Sequence, residues 1–83
     1  MNCRVMVDPG RVPGEHNVLM CGNDDAAKAT AAELIASFGW PDGSLIDLGD
    51  ISAARGMEML LPLWLLLTAS FGHADFNFHF PRA

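Results

Sequence analysis

With 83 residues the chain is one small domain at most, and its net charge of −5 leaves no basic face for a nucleic acid. Its composition, 51% hydrophobic and 18% charged, is globular, and the N-terminus has no apolar core long enough for a signal peptide. Cys3 and Cys21 form no CxxC pair and suit free thiols in a reducing, cytoplasmic setting.

Residues 1–17 lack periodicity. Pro9-Gly10 and Pro13-Gly14 are turn signals, so this stretch is expected to be an irregular, exposed lead-in, with Val5 and Val7 in a short extended piece. Val18-Leu19-Met20-Cys21, closed by Gly22, is a short apolar run that suits a strand of a parallel sheet. Asn23-Asp24-Asp25 then offers side-chain oxygens to the free N–H groups of a helix start. The helix is expected over Asp25–Phe38, with Ala27, Ala31, Leu34, Ile35 and Phe38 on one face and Lys28, Glu33 and Ser37 pointing elsewhere. Gly39 is placed to take a left-handed conformation after it, and Pro41 blocks continuation.

A turn at Trp40–Gly43 leads to a second strand, Ser44–Leu48, and a tight turn at Gly49-Asp50. A long buried helix is then expected from Asp50 or Ser52 to about Phe71, kinked by Pro62 and ended by Gly72. Its apolar run, Met59–Leu67, contains a proline and falls short of the roughly 20 residues a membrane span needs. The last segment, Asp75–Phe80, alternates strictly, with Phe76, Phe78 and Phe80 on one face of an expected edge strand. The order is β-α-β-α-β, an α/β architecture whose apolar last helix an 83-residue chain has difficulty covering alone.

Little in this pattern carries catalytic chemistry. Asp24, Asp25, Asp47 and Asp50 sit at helix starts and strand ends, where carboxylates cap. The three histidines and two cysteines lack metal-ligand spacing, so no metal is expected. No nucleophile elbow, Walker loop or dinucleotide glycine fingerprint is present. Arg55 and Glu58, three residues apart on the last helix, are expected to pair as a structural anchor. The phenylalanine stripe is either plain core or a platform for a planar ligand.

Three stretches resemble the C-terminal portion of the NADPH-dependent deazaflavin-coenzyme reductases, a family of NADP oxidoreductases. They are Cys21-Gly22-Asn23-Asp24 after a strand; Asp47-Leu48-Gly49 followed by Ala54-Arg55, Glu58 and Pro62-Leu63; and the terminal FNFHF. The resemblance implies a partial Rossmann-like unit from a larger doubly wound domain. Residues 18–83 would be its C-terminal α/β portion, and the nucleotide-binding N-terminal half would be absent. It implies hydride transfer between NADP(H) and a deazaflavin-like or other small-molecule acceptor, without general acid or base, so no catalytic residue is expected. By matching position it implies an acceptor wall at Leu61, Pro62, Phe76 and Asn77. The chain alone is expected to be inactive and to need that N-terminal half, or self-association, to cover its apolar helix. A rival expectation is a non-enzymatic interaction module that associates through this helix. An interfacial membrane peptide fits less well, since the helix lacks a basic polar face.

Overall fold

A computed structural model describes all 83 residues. Two strands, β1 (Val18–Met20) and β2 (Leu45–Asp47), pair in parallel, with Val18 opposite Leu45 and Met20 opposite Asp47. The pairing continues past both ends, through Val18 N–H to Ser44 O (3.1 Å), Leu48 N–H to Met20 O (2.7 Å) and Gly22 N–H to Gly49 O (2.9 Å). Parallel strands need a crossover. Here it is the helix Asp25–Ser37, capped by the Asp24 carboxylate, which accepts from Ala27 N–H, and ended at Gly39 with φ +102°. The α/β class and the parallel β-α-β unit are therefore as expected.

The lead-in is mostly exposed, as expected, but it is not irregular throughout, and it supplies most of the core. Asn2 accepts from Arg4 N–H and so caps a helical turn, α1 (Cys3–Val7), where β-branched Val5 and Val7 had pointed to extended chain. A single 3₁₀ turn follows at Pro9–Arg11. Only six residues are buried, and four of them (Val5, Pro9, His16 and Asn17) belong to this stretch. With Val18 and Trp40 they make a small core beneath the start of the sheet. The Trp40 indole N–H donates to Met6 O at 2.8 Å, and His16 meets the Trp40 ring edge-on at 4.8 Å.

The crossover helix, α2, is rotated from its expected face. Its half-covered positions are Lys28, Ala31, Ala32, Ile35 and Phe38, whereas Ala27 and Leu34 are exposed. Lys28 accounts for the rotation, because its ammonium reaches the sheet and bonds Asp47 and Gly49 O.

The long helix is broken. A 3₁₀ turn at Ile51–Ala53 leads into α3 (Ala54–Glu58), and α4 (Leu60–Phe71) begins after Met59. Pro62 has no N–H for the Glu58 carbonyl, and the break falls at the residue after that carbonyl. Gly72, with φ +78°, ends α4. No residue of α3 or α4 is buried, contrary to the expected buried helix. By length and composition alone, the 21-residue stretch Ile51–Phe71 is apolar enough to cross a membrane.

The expected third strand, Asp75–Phe80, does not form. Its backbone makes one hydrogen bond to other backbone, accepted by Phe78 O from Asn17 N–H at 2.9 Å. The side chains of Asn17 and Asn77 take the positions that ladder donors and acceptors would otherwise fill.

Candidate functional site: a polar strand end and an apolar cleft

Ligands of open α/β sheets bind beyond the carboxyl ends of the strands. In this chain that end is occupied by its own side chains. Asp47 accepts from Gly49 N–H at 2.9 Å and from Lys28 Nζ at 3.1 and 3.2 Å. Asp50 accepts from the Ser52 N–H and hydroxyl, and Asn23 Oδ1 accepts from Ile51 N–H. The Gly49 N–H foremost, and then Lys28, holds the Asp47 carboxyl below the ordinary carboxylate range. The two Ser52 groups do the same for Asp50. Asp24 fills the N-terminus of α2. A phosphate entering here would meet several carboxylates and the single ammonium of Lys28, which is already engaged.

A titration follows from this geometry. A carboxylate whose folded pKa is depressed contributes stability that is complete above its unfolded pKa and is lost as pH falls through the folded value. Melting temperature is therefore expected to fall between about pH 5 and about pH 2, part of the fall coming from Asp47. Asp47→Asn keeps an acceptor for Gly49 N–H but not the charge, and should flatten this limb of the curve. An unaltered profile in the variant would show that Asp47 is not a contributor.

A second region is apolar. A cleft of about 240 Å³ lies between the lead-in, β1, the start of α4 and the C-terminal segment. Met57, Leu60, Leu61 and Trp64 form one wall, at i, i+3, i+4 and i+7. Phe78 and Phe80 form the facing wall, with stacked rings 6.3 Å apart, and Asn17 and Asn77 supply the polar groups. A larger cleft of about 700 Å³ runs between residues 9–17, the Gly39–Ser44 turn and the tail. It is lined mostly by glycine, proline and polar groups, with only two hydrophobic residues, and its ionisable side chains include Glu15 and His79, 3.7 Å apart.

Of the expected acceptor wall, Leu61 and Asn77 line the apolar cleft and Pro62 and Phe76 do not. Pro62 is exposed on the outer side of α4. Phe76 packs instead on Trp64 (5.7 Å) and edge-on to Phe71 (5.3 Å). Strict alternation would have put Asn77 opposite Phe78 and Phe80, yet all three line the cleft, because the segment is not a pleated strand. Arg55 and Glu58 are both exposed and take part in no ion pair, so the expected anchor is absent. The charge pair that ties helix to sheet is Lys28–Asp47. Trp64, whose indole nitrogen is buried without a partner, was not singled out from sequence, although the spacing of Met57, Leu60, Leu61 and Trp64 marks a helical face.

No family model and no curated protein matches the chain. A crystal structure at 1.70 Å resolution does match it, from a protein of Arthrobacter sp. FB24 provisionally named an F420-dependent NADP-reductase. The two are 53% identical and superpose with a TM-score of 0.90 over 99% of this chain. The match spans 36% of the Arthrobacter chain, so this chain is similar to about a third of a larger oxidoreductase.

Proposed function

We propose that this chain provides the acceptor-side part of a NADP-dependent oxidoreductase and does not hold the nucleotide phosphates. The observation that carries the reading is 53% identity along nearly the whole chain to a protein provisionally named an F420-dependent NADP-reductase. F420 is a deazaflavin, and the apolar cleft suits one edge of such a planar ring. At about 240 Å³ it is smaller than the roughly 300–1,000 Å³ of sites that enclose a whole ligand. Phe78, Phe80, Leu60 and Trp64 would cover the ring, with the Asn77 amide at its edge. When bound, the deazaflavin would supply the carbon that takes the hydride. Direct hydride transfer asks its protein walls for orientation and exclusion of water, and the cleft offers no acid or base. The nucleotide pyrophosphate is a poor fit to this chain, since Asp24, Asp47 and Asp50 occupy the strand end. In this reading the enzyme works in the cytoplasm, where Cys3 and Cys21 stay as thiols.

The test is a pair of titrations on the 83-residue chain. A deazaflavin should bind and quench Trp64 emission. Leu61→Trp, which narrows the cleft, should weaken that binding about ten-fold, equivalent to about 1.4 kcal/mol. NADPH should give no saturable signal. A low-micromolar dissociation constant for NADPH, or deazaflavin binding indifferent to Leu61→Trp, would sink the reading.

The outward face of α4 favours a second reading, a module that associates with protein. Leu60–Phe71 carries no charge, and Leu65 and Leu66, which do not line the cleft, are each more than half exposed. Further polypeptide of the same enzyme or a second copy would cover this face. Protein is preferred to lipid because Arg55, Glu58 and the break at Met59 interrupt the apolar stretch.

A further inference from the structure

We propose that Asn77–Phe80 is a strap over the apolar cleft, hinged at Phe76 and fastened by Asn17 and His16, and that it opens as a unit while the sheet stays closed. The inference deepens the acceptor-site reading, because the strap carries the Phe78–Phe80 wall.

The fastening is sparse and local. Residues 73–83 make a single hydrogen bond to other backbone, from Asn17 N–H to Phe78 O. The Asn17 side chain adds Phe80 N–H to Oδ1 at 2.8 Å, and its own Nδ2 donates to Ser44 O, which ties the clasp to the entrance of β2. Asn77 Nδ2 makes two bonds, to Asn17 O (2.7 Å) and to His16 Nδ1 (2.9 Å). His16 Nε2 faces Pro9 O at 2.9 Å, and a carbonyl only accepts. The imidazole proton therefore sits on Nε2, leaving Nδ1 bare to receive the Asn77 amide. Turning that amide over would set its oxygen against Asn17 O, so the arrangement has one satisfied form. Both fastening residues are buried, His16 at 6% and Asn17 at 7% exposure. The other tie on the strap is an exposed pair, His79–Glu15 at 3.7 Å, of a kind that contributes little.

The hinge is set by contrast. Phe76 stays against Trp64 and Phe71 on α4, while Phe78 and Phe80 pack on each other. Releasing Asn77 therefore frees the residues after it and leaves Phe76 docked.

Native-state hydrogen exchange on the 83-residue chain tests this without any ligand. The Asn17 and Phe80 amides report the strap; the Val18, Gly22 and Leu48 amides report the sheet. Asn77→Ala should accelerate the first pair by about ten-fold or more, as expected for the loss of two half-buried hydrogen bonds, with the second set unchanged. Parallel acceleration of both sets would make strap and sheet one cooperative unit, and no acceleration would mean that Asn77 fastens nothing. Either result overturns the proposal. Wild-type exchange in low denaturant covers the case of a variant that fails to fold. Asn17 and Phe80 should then open with a smaller denaturant slope than Val18, and equal slopes overturn the strap. A failed deazaflavin titration, by contrast, counts against the acceptor reading and not against the strap.

Discussion

Trp40→Ala is expected to leave little folded protein at 25 °C. Large-to-small changes at buried tryptophan cost about 3–5 kcal/mol. A chain of 83 residues has roughly 4–12 kcal/mol in total, at 0.05–0.15 per residue. Here the loss falls on a core with only two other buried hydrophobic residues, Val5 and Val18. It also strips Met6 O of its indole donor and His16 of the ring it packs on. Urea unfolding followed by circular dichroism measures the effect. Trp40→Phe keeps most of the ring contact and should lose less, mainly the Met6 bond, at about 1–3 kcal/mol. A Trp40→Ala midpoint close to wild type would mean that this small cluster does not hold the lead-in to the sheet.

The second large effect concerns association. Extensive exposed apolar faces mark interaction sites, so at about 100 μM the isolated chain is expected to sediment as a species heavier than its 8.9 kDa monomer. Leu65→Lys combined with Leu66→Glu should return it to the monomer. Both side chains face outward, at 55% and 70% exposure, and neither lines the cleft, so the fold and any deazaflavin binding should survive the change. A wild-type chain that remains monomeric at that concentration would remove the case for protein on this face of α4.

The elements legible in the sequence were those specified by local chemistry. The Asp24 cap, the left-handed Gly39, the helix end at Gly72 and the two short apolar strands each depend on residues within a turn of one another. What was missed depends on distant partners. Nothing near Val5 signals that it will be fully buried, and nothing near Trp40 signals that its indole will reach back to Met6. Alternation made Asp75–Phe80 read as a strand, but the residues that meet it are two asparagines and a histidine, which bond with their side chains. Arg55 and Glu58 had a helical spacing that permits pairing, yet spacing cannot reveal that both face open solvent. Periodicity placed Lys28 off the apolar face, and its position against Asp47 depends on the crossover that brings strand and helix together. In the candidate site, Leu61 and Asn77 were reached through family resemblance, whereas Trp64 needed the helical face to be followed one turn further.

The clasp on Asn17 bears on the order in which the chain folds. Its hydrogen bonds to Asn77 and Phe80 join residues 60 and 63 apart, and Asn2 reaches Ala74 across 72 positions. Closing a loop of about 60 residues costs roughly 3–4 kcal/mol of chain entropy, before any constant term, and that cost precedes the contacts that offset it. During synthesis Asn77 and Phe80 leave the ribosome 60 and 63 positions after Asn17. Until they emerge, His16 and Asn17 lack the groups that satisfy them, and the apolar residues under the strap stay wet. The β-α-β unit can assemble early, but the region around the cleft must wait for Asn77–Phe80, and for that interval its apolar side chains stay open to aggregation.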